Sequence, residues 1–209
     1  MIGIYGGTFD PIHYGHLRTA LEVKEAAGLD EVRFVPCRLP PHRAVPEASP
    51  ELRLRMLKLA LHDAEPGSCI DTRELDRPGP SYMVDTLASI RAEIGIGPLC
   101  LIVGLDAFLG LPRWHRWREL FDLAHIIVMR RPGSAPDFAG DLAPYITERR
   151  TDKPAVLGLQ PAGSIHFVDV IQLDISATRI REAVRNGKSA RYLVPDPVWR
   201  FIQTEGLYR

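Results

Sequence analysis

What the chain lacks narrows its class first. Its 209 residues hold three cysteines, Cys37, Cys69 and Cys100, too scattered for a disulfide framework or a close-spaced zinc motif, and this usage suits a reducing compartment. Charge of neither sign is in excess, since 26 basic side chains face 26 acidic ones. No overall field therefore favours nucleic acid or a membrane surface. No apolar stretch approaches membrane-spanning length, and the amino terminus shows no basic region or signal core. The expectation is a cytoplasmic protein without membrane or nucleic-acid partners, its oligomeric state left open, a homo-oligomer included. Internal repeats and low-complexity tracts are absent as well.

What is present is an alternation of apolar strand patterns with amphipathic helix patterns, 45% hydrophobic overall and long enough to bury one good core. Strands are expected at 2–5, 31–35, 69–74, 99–103, 126–129 and 165–173, and helices at 13–27, 50–61, 81–94 and 113–123. Gly28 should stop the first helix, with Ser49 capping the second and Ser81 the third. Helices from Ser176 and Pro195 close the chain as a small helical part over about 174–209. Residues 36–50 form a loop with five prolines, long enough to suggest function, while 132–163 is the least readable stretch. This alternation implies an α/β fold, a doubly wound parallel sheet covered on both faces and forming a single domain over 1–209. Ligands are then expected at the carboxyl ends of strands, near the point where strand order reverses.

The most informative segment is 6–16, Gly-Gly-Thr-Phe-Asp-Pro-Ile-His-Tyr-Gly-His, which follows the first strand and opens the first helix. Two glycines let backbone N–H groups approach a ligand, and the helix start adds unpaired N–H groups at its positive end. Polyphosphate is the natural guest. His13 and His16, three apart, share a helix face; taken alone they could also cap the helix or supply half of a metal site. A second helix start, Ile175-Ser176-Ala177-Thr178-Arg179-Ile180-Arg181, places Ser176 and Arg179 on one face as a possible phosphate clamp, or as an ordinary capped and solvated helix. Asp106, Arg130 and Arg131 stand at further strand exits.

Together these segments resemble the His-x-Gly-His nucleotidyltransferase superfamily, and in particular its nicotinate mononucleotide adenylyltransferases. Thr8, His13 and His16 match the first motif, and the Ile-Ser-(Ser/Ala)-Thr-x-Ile-Arg element matches the second. The middle of the chain is similar to the same branch at Pro-Pro-His-Arg 40–43, Pro-Ser-Tyr 80–82, Gly-Leu-Asp 104–106 and Pro-Arg-Trp 112–114, so the likeness runs nearly end to end. The resemblance implies a Rossmann-like fold and a transfer of the adenylyl group of ATP to nicotinate mononucleotide, giving deamido-NAD and pyrophosphate in NAD biosynthesis.

It also implies roles. ATP would be held by Gly7, Thr8, Phe9, His13, His16, Asp106, Ser176 and Arg179, with His13, His16 and Arg179 serving catalysis. The mononucleotide would meet Arg43, Tyr82, Met83, Trp114 and His115, where Trp114 offers its face to the pyridinium and backbone N–H groups near Met83 and His115 meet the carboxylate. Mg2+ would arrive with ATP, no metal being held by the protein alone. Trp114, Trp117 and Phe121 also stand at helical spacing and could form a core stripe, which is the expectation for Trp117. Two rivals remain: a relative that adenylylates phosphopantetheine or joins CTP to a polyol phosphate, and a nucleotide-binding regulator without turnover.

Overall fold

The computed structural model describes residues 1–41, 45–133, 138–171 and 173–209. Along the chain run β1 (Ile2–Gly7), α1 (Tyr14–Ala27), β2 (Glu31–Pro36), α2 (Pro50–Leu61), β3 (Ser68–Ile70), α3 (Arg73–Asp76), α4 (Met83–Ile94) and β4 (Leu99–Gly104). Then follow α5 (Leu105–Leu109), α6 (Leu120–Leu123), β5 (His125–Arg130), α7 (Ala143–Arg149), β6 (Ile165–Asp169), α8 (Ala177–Arg185) and α9 (Asp196–Thr204). All strand pairs are parallel, in the order β3-β2-β1-β4-β5-β6. The fold is Rossmann-like α/β. Its order reverses between β1 and β4, so their carboxyl ends flank the crevice in which such sheets take ligands.

Strands β1, β2, β4, β5 and β6 each feed two cores because successive side chains point to opposite faces. Tyr5, Cys100, Ile102, Ile127 and Met129 pack with Val23 of α1, Met56 and Leu57 of α2, Ile180 of α8 and Val198 and Phe201 of α9. Ile4, Leu101, Val103, Ile126 and Val128 pack with Leu87 and Ile90 of α4, Phe108 of α5, Phe121 of α6 and Ile146 of α7. Strands buried on both sides read as the unbroken apolar runs seen in β4 and β5. The helical part beyond residue 174 thus closes the same core that α1 and α2 close.

Local chemistry sets the helix ends. Gly28 takes the left-handed conformation at φ 66° and stops α1, while the Ser49 hydroxyl accepts from the Leu52 N–H and Pro50 opens α2. Four expectations are corrected, the first being the strand expected at 165–173, which is β6 and ends at Asp169. The strand expected at 69–74 ends at Ile70, because the Asp71 carboxylate accepts from both the backbone N–H and the guanidinium of Arg73 and turns the chain into α3. Tyr82, not Ser81, is the N-cap of α4; the Ser81 hydroxyl instead accepts from the Arg38 N–H. The helix expected at 113–123 is broken into two 3-10 turns, Leu111–Arg113 and Trp117–Glu119, followed by α6. Arg116 adopts a left-handed φ of 51° between them, its guanidinium paired with Glu119 and Asp85.

Candidate active site

An open cleft of about 1440 Å³ lies over the carboxyl ends of β1 and β4 and reaches the start of α8. Its floor is the turn after β1. Close approach favours glycine there: a Cβ on Gly7 would lie 2.8 Å from the Phe9 ring, and one on Gly6 would lie 2.5 Å from Met83 Cε and push that flexible end aside. Phe9 is buried, with φ 49°, and its ring packs edge-on to His16 at 5.2 Å. Phe9 therefore belongs to the core as much as to the cleft it lines. Thr8 lines the cleft beside the buried Cys37, whose thiol lies 3.8 Å from the threonine hydroxyl.

His13 ends this turn as the N-cap of α1, and its N–H donates to His16 Nδ1 at 3.4 Å. Their rings stack at 3.7 Å between centroids. Only 5% of His13 is exposed, and burial pulls its imidazole down to about 4 from an ordinary 6.5, so it is neutral at physiological pH. Its Nδ1 is buried without a hydrogen-bond partner among the described residues. Both histidines line the cleft.

The turn is clamped by side chains that sequence reading missed. Asp10, 4% exposed, accepts at Oδ2 from the Glu47 N–H (2.8 Å) and at Oδ1 from the Ala48 N–H (3.3 Å) and the Tyr208 hydroxyl (2.6 Å). Arg53 of α2 is fully buried and donates to the carbonyls of Thr8 (2.8 Å), Arg38 (3.2 Å) and Ala48 (3.2 Å). A charged group inside a core must be satisfied in this way. No local pattern announces Arg53, because a helical arginine ordinarily reads as surface.

On α8, the Ser176 hydroxyl caps the helix by accepting from the Arg179 N–H at 3.3 Å, and Ser176 lines the cleft. Arg179 is not among the lining residues; its guanidinium is exposed and paired with Asp174 at 2.9 Å. Arg181 lines the cleft instead, three positions from Thr178 on the same face, and donates to the Asp10 carbonyl at 2.7 Å and to Glu47 at 2.9 Å. The signal was present in the final Arg of the Ile-Ser-Ala-Thr-Arg-Ile-Arg motif.

The opposite wall comes from β4 and its neighbours. Asp106 stands exposed in the first turn of α5, and Arg131 lines the cleft beyond β5, whereas Arg130 is paired with Asp169 at 2.6 Å. Tyr82 stacks on His115 at 4.3 Å, Met83 opens α4 with an N–H that has no intrahelical partner, and half-buried Trp114 completes this side. Trp117 is buried against Phe121 and Tyr145 in the core. Glu74, buried and lining the same cleft, accepts from the Thr86 hydroxyl at 2.6 Å, and burial pushes its carboxyl above the ordinary range. Arg43 lies outside the described residues.

A family model described as cytidylyltransferase-like matches residues 4–183. A protein of Methylococcus capsulatus, named "Probable nicotinate-nucleotide adenylyltransferase", is 61% identical over 100% of this chain and 99% of its own length. One of the same name from Halorhodospira halophila is 52% identical over 99% of this chain and 94% of its own. Among solved structures, the Plasmodium falciparum nicotinic acid mononucleotide adenylyltransferase complexed with NaAD superposes with a TM-score of 0.72, covering 99% of this chain and 96% of that one at 16% identity. That likeness speaks for the fold.

Proposed function

The chain belongs to the cytidylyltransferase-like family, and from that premise we propose that it transfers the adenylyl group of ATP to nicotinate mononucleotide, releasing deamido-NAD and pyrophosphate in NAD biosynthesis. The observation that carries this reading is convergence: the His13–His16 turn, the α8 start with Ser176, Thr178 and Arg181, and the Tyr82–Trp114 wall open into one cleft.

A phosphate oxygen of the mononucleotide attacks the α-phosphorus of ATP in line; the new P–O bond forms as the bond to pyrophosphate breaks, and the electron pair leaves with pyrophosphate. Such chemistry asks for positioning and charge stabilisation rather than a protein nucleophile. His13, neutral, offers one ring N–H to the phosphate chain, while His16 steadies the charge that develops on the α-phosphate. Arg181 and Ser176 take the outer phosphates, and Asp106 the ribose. Magnesium enters with ATP as part of the substrate; among the described residues no group of three or more His, Cys, Asp or Glu is arranged to hold a metal ion. Trp114 faces the pyridinium, and the N–H groups of Met83 and His115 face its carboxylate. The resemblance adds Arg43, from the loop before α2, as a further contact to the mononucleotide. Cys37, Cys69 and Cys100 form no disulfide, which agrees with a cytoplasmic enzyme.

Pyrophosphate release from ATP, measured over a panel of phosphate acceptors, tests the reading. Nicotinate mononucleotide should give the highest kcat/KM, well above its amide, since donors aimed at a carboxylate are badly paired by an NH2 group. No release with this substrate, or a better phosphopantetheine or CTP-dependent reaction, would overturn it.

A further inference from the structure

We infer that Tyr208 is a positioning residue for catalysis, its hydroxyl holding the Asp10 carboxylate so that the turn bearing His13 stays in register with Arg181. The inference rests on the adenylyl-transfer reading above. Tyr208 does not line the cleft, yet its hydroxyl donates to Asp10 Oδ1 at 2.6 Å across 198 residues of chain, inside the core. The other contact to that oxygen, the Ala48 N–H, is longer at 3.3 Å. The phenol is therefore the shorter of the two bonds to Oδ1.

Asp10 is a junction. Its side chain meets Tyr208 and the loop before α2, while its carbonyl accepts from Arg181, the arginine that faces the cleft. Glu47 ties the same corner to Arg181 (2.9 Å) and Arg185 (2.7 Å) of α8. On either side of the contact the backbone is strained: Phe9 has φ 49° and Tyr208 φ 63°, conformations that bulky side chains rarely adopt and that persist only where the surroundings fix them. Burial and the adjoining carboxylate push the phenol of Tyr208 up, so it donates throughout the working pH range. Without the hydroxyl, a buried carboxylate oxygen retains one long hydrogen bond, and the hold on the segment between Phe9 and Pro11 opposite Arg181 is weakened.

The test is Tyr208→Phe, compared with Val198→Ala, which opens the same core from α9 without touching Asp10. In Tyr208→Phe, kcat should fall about tenfold with both KM values within threefold, the loss expected when a buried hydrogen bond to a charged group is removed. Val198→Ala should lower Tm but keep kcat. Amide hydrogen exchange at residues 7–13 should quicken in Tyr208→Phe alone, and this readout stands even if the wild-type protein proves to use another acceptor. Asp10→Asn should match the loss, and the double variant should add nothing to it. If Tyr208→Phe keeps kcat within twofold and leaves exchange at 7–13 unchanged, or loses only the Tm that Val198→Ala also loses, the positioning role is wrong.

Discussion

The imidazoles of His13 and His16 lie face to face, 3.7 Å between centroids and 29° between planes. Two positive charges at that separation would repel strongly in a site shielded from water. Burial removes the conflict by holding His13 neutral, down to about 4. The arrangement presents two aromatic nitrogen bases to a polyanion without committing both to a charge.

This makes stability depend on pH with a definite sign. His13 binds a proton more readily in the unfolded chain, at 6.5, than in the fold, at about 4. Its contribution is therefore complete above pH 6.5 and is lost as pH falls towards 4. Between pH 7.5 and 4.5 the wild type should lose about 2 to 3 kcal/mol more than His13→Asn does. Denaturant unfolding of both proteins at the two pH values measures the difference; equal losses would show that His13 takes up its proton as readily in the fold as in the unfolded chain.

His16→Ala should reduce kcat by roughly two to three orders of magnitude, as when one preorganised donor to a developing charge is removed, with a smaller effect on substrate binding. Single-turnover rates at saturating ATP and mononucleotide decide this. A variant that keeps most of its rate takes His16 out of the mechanism.

The two arginines of α8 should separate cleanly. Arg181→Ala should raise the KM for ATP at least about tenfold, because a charge-assisted contact to phosphate is lost along with the tie to Asp10. Arg179→Ala should change it by less than about twofold, since an exposed pair with Asp174 contributes little. Steady-state kinetics of both variants checks the assignment, and the reverse order would restore Arg179 to the site.

Trp114→Ala should raise the KM for nicotinate mononucleotide by roughly five- to thirty-fold through loss of the stack on the pyridinium, leaving ATP and Tm little changed. Trp117→Ala should do the opposite and destabilise the fold by about 3 to 5 kcal/mol, because its indole fills the core against Phe121 and Tyr145. KM values for both substrates and a thermal melt of each variant test the pair together.

Much of this was legible in the chain because its signals are local. The strand, glycine turn and histidine pair of 2–16 follow one another without a break, and Ser49 and Gly28 mark helix ends by side-chain and backbone chemistry of their own. The parallel sheet needed only the alternation of elements, whereas the order of its strands is set by how they pair in the fold. The misread places are those where a side chain overrides a pattern: Asp71 capturing Arg73 to end β3, and Arg116 in a left-handed conformation that no residue type announces. Trp114 is consequently the exit of a short 3-10 turn rather than the start of a long helix. The supports of the site were the least visible. Arg53 looks like a surface residue of a helix, and Asp10 finds Tyr208 only after the whole fold has closed.

Gly6 stands where the β1 exit touches Met83: a Cβ there would come within 2.5 Å of the methionine's terminal methyl, so a side chain at position 6 must displace that flexible end. The floor of the cleft and its Tyr82–Trp114 wall therefore meet at this contact. A bulkier residue on one side of the contact is felt on the other. Across a set of substitutions at positions 6 and 83, affinities for the two nucleotides should rise and fall in concert, whereas changes at Trp114 or Arg181, which stand on opposite walls, should move one affinity and leave its neighbour still.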